Sequence, residues 1–230
     1  MKTIGLIGGM SWESSVVYYQ LINTIVKEKL GGHHSSRSLM YSAEFDEIVR
    51  LQHQGDWQTL GEIMVDAAQR LEKGGADFIV LCTNTMHKLA DTIEENTRIP
   101  FLHIADATAA EIKKYGFKKV GLLGTKFTME EDFLRKRLQE KHQIEAFIPD
   151  QPARERVHTI IYEELIKGRF TDSSRKEFLH IIDDLVANGA EGVILGCTEI
   201  PLLVRAQDTD VVLFDTTAIH ATNAVEMALS

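Results

Sequence analysis

The residues best suited to proton transfer lie in Gly192-Val193-Ile194-Leu195-Gly196-Cys197-Thr198-Glu199, where an apolar run ends in a cysteine followed by two polar residues. A thiol has an unperturbed pKa of about 8.5, and a helix N-terminus just after it favours the thiolate. Thr198 reads as the N-cap of such a helix, with Pro201 tolerated in its first turn. The same pattern occurs earlier: Gly75-Ala76-Asp77-Phe78-Ile79-Val80-Leu81-Cys82-Thr83-Asn84-Thr85 matches the stretch from Gly189 to Glu199 at a constant offset of 114 (189 − 75 and 197 − 83). Thr83, not Cys82, therefore stands opposite Cys197. Strand alternation turns Cys82 away from whatever Thr83 faces, which makes it a core residue. Two proton-transfer groups on opposite faces of one carbon are what inversion of a stereocentre requires. The backbone amides around Asn84-Thr85 and Thr198-Glu199 add two expected anion sites for a carboxylate. The plain alternative for Cys197 is a small buried hydrophobe.

The elements that must position these groups alternate. Residues 2–8 read as an apolar strand, Ser14–Leu30 as a helix stopped by Gly31-Gly32, and Leu39–Phe45 as a second strand. Leu60, Ile63, Met64, Ala67, Ala68 and Leu71 keep helical spacing over 59–73. Phe78–Cys82 is apolar throughout, as in the middle of a parallel sheet, and is followed by a helix over 85–95 and a strand over 99–104. The second half replays this order. Lys119–Thr125 matches Thr3–Gly9 at an offset of 116 (121 − 5), Ser174–Ala187 matches 60–73 at 114, and Leu213–Ala218 matches Ile104–Ala109 at 109 (215 − 106). The expected fold is α/β: two similar lobes with parallel sheets related by a pseudo-two-fold duplication. The first lobe is expected over 1–103 with 213–230 and the second over 104–212. Ligands of such sheets bind at the carboxyl ends of strands. Those ends are Gly8–Ser11, Thr83–Thr85, Thr125–Thr128 and Cys197–Glu199, and the active site is expected in the cleft between the lobes.

Composition narrows the partners. The chain has 230 residues, 44% hydrophobic and 26% charged, with a net charge of −9, which disfavours both disorder and nucleic-acid binding. No apolar run approaches the roughly 18 residues of a membrane span. The opening Met1–Gly9 is interrupted by glycines and reads as a strand rather than a signal peptide. Two cysteines and no recognisable export signal imply a reduced, cytoplasmic protein. His33 and His34 lack the neighbours of a metal site, and His87 reads as a satisfied structural histidine. Gly5-x-x-Gly8-Gly9 departs from the dinucleotide-binding pattern.

Gly5-Leu6-Ile7-Gly8-Gly9-Met10-Ser11, Thr83-Asn84-Thr85, Gly124-Thr125-x-x-Thr128 and Gly196-Cys197-Thr198-Glu199 together resemble the cofactor-independent aspartate/glutamate racemases, over essentially the whole chain. Met10-Ser11-Trp12-Glu13-Ser14 and Leu81-Cys82-Thr83-Asn84-Thr85-Met86-His87 are most similar to an enterobacterial-type subgroup with threonine in place of the first catalytic cysteine. The resemblance implies flavodoxin-like lobes and proton exchange at Cα without pyridoxal phosphate, any other cofactor or a metal. It implies L-glutamate or L-aspartate as substrate, Cys197 as the base for the L-enantiomer, and Thr83 as donor or relay on the other face. It carries Met10, Ser11, Asn84, Thr85, Thr125, Thr128 and Thr198 over as substrate-binding residues, with Glu199 placed to orient the amine or the thiol. Gln52 is a candidate for side-chain recognition, as are Arg50 and Lys167, although all three read equally well as solvated surface residues. The expected partner is a small-molecule amino acid, with no nucleic acid or membrane, and a homodimer is compatible with the sequence. Three other readings stay open: a broad-specificity amino-acid racemase, a one-cysteine dicarboxylate decarboxylase or isomerase, and a non-catalytic carboxylate-binding relative.

Overall fold

The computed structural model describes residues 1–230, and the chain divides into two compact units, Met1–Ile104 with His220–Ser230, and Ala105–Ile219. In chain order the first unit contains β1 (Ile4–Gly8), α1 (Trp12–Leu30), β2 (Ser38–Ser42), α2 (Phe45–Gln54), α3 (Trp57–Lys73), β3 (Phe78–Leu81), a 3-10 turn over Thr85–Leu89, α4 (Ala90–Glu95) and β4 (Phe101–Leu102). The crossing helix α5 (Ile104–Lys114) leads to β5 (Lys119–Gly124), α6 (Lys126–Glu130), α7 (Asp132–His142), β6 (Glu145–Phe147), α8 (Gln151–Glu163), α9 (Asp172–Ala187), β7 (Gly192–Gly196), α10 (Ile200–Leu203) and β8 (Leu213–Asp215). The last helix, α11 (Thr216–Leu229), carries the chain back to the first unit.

Each unit has one four-stranded sheet, parallel throughout, in the orders β2-β1-β3-β4 and β6-β5-β7-β8. This is the flavodoxin-like order, and it repeats with register. Gly5 pairs with Ile79 in the first sheet, and Gly121 pairs with Val193 in the second. The offsets of 116 and 114 read from the sequence are thus those of the sheets, and Thr83 and Cys197 each lie two residues beyond equivalent leucines, Leu81 and Leu195.

The third expected offset does not hold. Ile79 pairs with Phe101 and Val193 with Leu213, which makes the offset 112 (213 − 101) and brings His103, not Asp106, into the place of Asp215. Asp106 lies in the first turn of α5. Asp215 ends β8, where its Oδ1 accepts from the Thr217 and Ala218 amides at 2.9 and 3.1 Å. Small and acidic residues suit any helix start, so that short match could slip by three residues. The return to the first unit also comes later than 213, because β8 is paired with β7 and residues 213–219 belong to the second unit.

Helix caps explain the local boundaries. Ser11 Oγ accepts from the Ser14 amide at 3.4 Å, and Tyr18, Ile22 and Val26 bury one stripe of α1. The expected strand to Phe45 ends at Ser42, because the Glu44 carboxylate caps α2 through the Asp46 and Glu47 amides at 3.2 and 2.7 Å. The expected strand over 99–104 shrinks to two residues before α5 begins, and the expected helix over 85–95 is a 3-10 turn followed by α4. No helix is long and apolar enough to cross a membrane.

Candidate active site

In the first unit, β3 delivers its end residues through a tight turn. The Cys82 amide donates to Ile7 O at 2.9 Å, and the Thr83 amide turns back to Leu81 O at 2.9 Å. Cys82 is fully buried among Tyr18, Phe78 and Val80, and burial holds its thiol far above the ordinary range. It is a core residue, as its place in the strand requires. Thr83 and Thr85 are partly exposed, while Asn84 is buried. Gln52 reaches the same turn from α2, with Nε2 3.1 Å from Met86 Sδ.

The β1 end is shaped by glycine. Gly9 has φ of +90°, and a Cβ there would run into the Ala43 carbonyl. Its amide donates to Ser15 Oγ at 2.8 Å, and Ser15 Oγ donates to Ser11 O at 3.0 Å. Met10 is 7% exposed and packs with Ile7, Ile48 and Met86, so its side chain is mainly core.

In the second unit, Cys197 directly follows β7 with 9% of its surface exposed, packed with Leu195, Ile200 and Leu203. Its Sγ donates to Glu199 Oε2 at 2.9 Å, and Thr198 Oγ1 donates to the same oxygen at 2.6 Å. Burial, and then the Glu199 carboxylate, push the Cys197 thiol well above its ordinary pKa; the Glu199 and Thr198 amides pull it down by less. This reverses the acidic thiol expected from the sequence. The physical reason is local. α10 has four residues, its N-cap is Glu199 rather than Thr198, and no side chain caps it, so there is little helix dipole to oppose burial. Pro201 does lie in its first turn.

Thr125 caps α6, accepting from the Thr128 amide at 3.3 Å, with the two hydroxyls 3.2 Å apart. Thr128 is fully buried. Its methyl lies 3.1 Å from where a Cβ on Gly124 or Gly196 would stand, so these glycines let α6 close over the ends of β5 and β7. Arg50 is exposed and donates to Gln54 at 3.2 Å, and Lys167 forms an exposed pair with Glu163 at 2.6 Å. Both are engaged at the surface by their own helical neighbours.

Two residues of α8 were not legible in the sequence. Tyr162 packs against the cluster that contains Cys197; its phenol is raised by burial and then by the charges of Cys197 and Glu199. The His158 ring lies 4.5 Å from that of Tyr162 and accepts from the Lys126 amide through Nδ1 at 3.3 Å. Burial, with the Lys126 charge next, lowers the His158 pKa. No periodicity ties α8 to a strand end some 35 residues later, so only the folded chain brings them together. No group of three or more His, Cys, Asp or Glu side chains is placed to hold a metal ion.

Parallel strand ends bearing Thr-Asn-Thr and Gly-Cys-Thr-Glu in duplicated register agree with the family comparison, in which the Asp/Glu/hydantoin racemase model matches residues 7–224. The chain belongs to that family. Among solved structures of family relatives, a candidate Asp/Glu racemase from Yersinia pestis is 55% identical, with each chain covered in full and a TM-score of 0.96. An aspartate racemase homologue from Pyrococcus horikoshii is 38% identical, also over 100% of both chains, with a TM-score of 0.88. The broad-specificity amino-acid racemase of Bacillus subtilis is 26% identical over 175 residues, 76% of this chain and 75% of that protein.

Proposed function

We propose that this member of the racemase family interconverts the enantiomers of an acidic amino acid, glutamate or aspartate, by cofactor-independent proton exchange at Cα. The observation that carries the reading is the Cys197 thiol, hydrogen-bonded to Glu199 at 2.9 Å at the end of β7. A resting thiol with a raised pKa is not yet a base. Glu199 is the proton acceptor beside it, and a substrate ammonium near Glu199 would offset the negative charge that disfavours the thiolate. The thiolate then takes the Cα proton of the L-enantiomer. The C–H electron pair passes to the carbanion delocalised into the substrate carboxylate, Thr83 relays a proton from water to the opposite face, and the proton held by Glu199 returns to solvent, neutralising the hydroxide left behind. Met10, Ser11, Gln52, Asn84, Thr85, Thr125, Thr128 and Thr198 are the proposed binding and framing residues. Thr128 and Met10, being buried, act by holding backbone.

In deuterated water, L-glutamate or L-aspartate should gain deuterium at Cα and yield the D-enantiomer without any added cofactor. Cys197→Ser should abolish both, because a serine hydroxyl is no base at neutral pH. A variant that keeps a tenth of the exchange rate would exclude Cys197 as the base. Since Cys82 is core, only one thiol stands at the strand ends, which favours one further reading: a single-cysteine decarboxylase or isomerase of dicarboxylates. Turnover of a malonate or maleate without amino-acid exchange would select it.

A further inference from the structure

We infer that His87 is a positioning residue, which fixes the direction of the Thr83 side chain by clamping the Thr83 carbonyl to the start of α5. This rests on the racemase reading, in which Thr83 delivers the proton to one face of Cα.

The clamp follows from hydrogen-bond chemistry. The Ile104 amide donates to His87 Nε2 at 3.1 Å, so that nitrogen carries a lone pair. His87 Nδ1 lies 2.7 Å from Thr83 O, which can only accept, so Nδ1 carries the proton. The neutral Nδ1–H tautomer is therefore set by its partners. The ring is 2% exposed and is packed edge-on by His103, Phe101 and His220 at centroid distances of 4.7, 5.5 and 5.7 Å. It cannot swing away without emptying this space.

Thr83 is thereby held from both sides of its Cα. Its amide donates to Leu81 O at 2.9 Å and its carbonyl accepts from His87 at 2.7 Å. With both peptide planes fixed, the Cα–Cβ direction is fixed. Threonine is β-branched and has few χ1 choices, so its hydroxyl is confined too. A hydroxyl relaying protons needs this more than a thiol does, because its weak acidity leaves geometry as its main resource. The far end of the clamp, Ile104, is the last residue before the chain passes into the second unit.

The test separates the two proton transfers. Removal of the Cα proton and return of a deuteron on the L-face need only Cys197, whereas D-product needs Thr83. In deuterated water with L-glutamate or L-aspartate, the ratio of exchange with retention to inversion reads the Thr83 step alone. His87→Gln keeps an acceptor near the Nε2 position and loses the Nδ1 donor. It should raise that ratio at least tenfold, with L-face exchange within twofold of the wild type. His87→Asn places its amide near Nδ1 and should leave the ratio within twofold. A Gln variant that loses exchange and inversion in parallel, or an Asn variant that shifts the ratio tenfold, would overturn the assignment. Should His87→Gln not fold, the Asn ratio still decides, together with the long-range 1H–15N spectrum of the intact wild type. That spectrum must show a neutral His87 protonated on Nδ1, and an Nε2–H or doubly protonated ring would overturn the clamp. A wild type with no exchange on either amino acid removes the racemase reading itself. A wild type that racemises with a ratio insensitive to His87 removes only this inference.

Discussion

Acidifying the protein from pH 7.5 to 5 should cost the first unit about 2 kcal/mol through one side chain, His220. His220 has no exposed surface. It accepts from Tyr18 Oη at 2.9 Å through Nδ1 and donates through Nε2 to Leu102 O at 2.8 Å, and the His87 ring packs against it. Burial lowers its pKa from 6.5 to about 4, although the Leu102 carbonyl opposes this. A base with a depressed folded pKa is neutral in the folded state while the unfolded chain takes up a proton. Its stabilising contribution is therefore complete above pH 6.5 and lost as the pH falls from 6.5 toward 4. The full span of about 2.5 pH units corresponds to roughly 3 kcal/mol, of which about two-thirds is lost by pH 5. Urea unfolding at pH 7.5, 6.5, 5.5 and 5 would measure this, with His220→Gln as comparator. The variant starts less stable because it loses hydrogen bonds, but its stability should decline with acid by about 2 kcal/mol less than the wild type. Equal declines, or an NMR titration of His220 with a midpoint near 6.5, would refute the reasoning.

Cys82→Ala should cost on the order of 1 kcal/mol in urea unfolding and leave turnover within twofold, since the thiol is core; loss of turnover by a folded variant would show that it reaches substrate. Gly9→Ala should cost at least about 2 kcal/mol, because φ of +90° strains any Cβ and this one meets the Ala43 carbonyl; a Tm within a degree of wild type would contradict this. Glu199→Gln, in a Cys82→Ala background, should lower the Cys197 pKa by removing the adjacent negative charge. The pH dependence of thiolate absorbance reads it directly, and an unchanged or higher midpoint would show that burial alone raises the thiol.

What was legible in the sequence followed from strong local signals. β1, β3, β5 and β7 are apolar and bounded by glycine or turn residues, so their identity and even their inter-repeat register could be read, with Cys82 assigned to the core. α2 had no counterpart in the sequence reading, and its first residue, Phe45, fell inside the expected strand, because its cap is a glutamate, an unusual N-cap. β4 and β8 are two and three residues long, too short for any period to show, and that is where the repeat slipped and the return point moved from 213 to 220. The acidity of Cys197 was misread because it depends on burial and on a carboxylate 2.9 Å away, neither of which spacing encodes. Tyr162 was missed because its nearness to Cys197 is a product of tertiary packing, as is the contact of His158 with the Lys126 amide.

The second unit is an insertion within the first, and synthesis runs in one direction. Residues 105–219 have all been made before His220–Ser230 exist. Yet Ile4, Leu6, Tyr18 and Val80 need Ala221, Ala224, Val225 and Ala228 to close their core, and the Lys2 amide waits for the Ala228 carbonyl. The portion translated first is thus completed last. The Thr83-bearing unit keeps an apolar face exposed until residues 220–230 pack against it, so they act as the latch that completes the core behind that strand end.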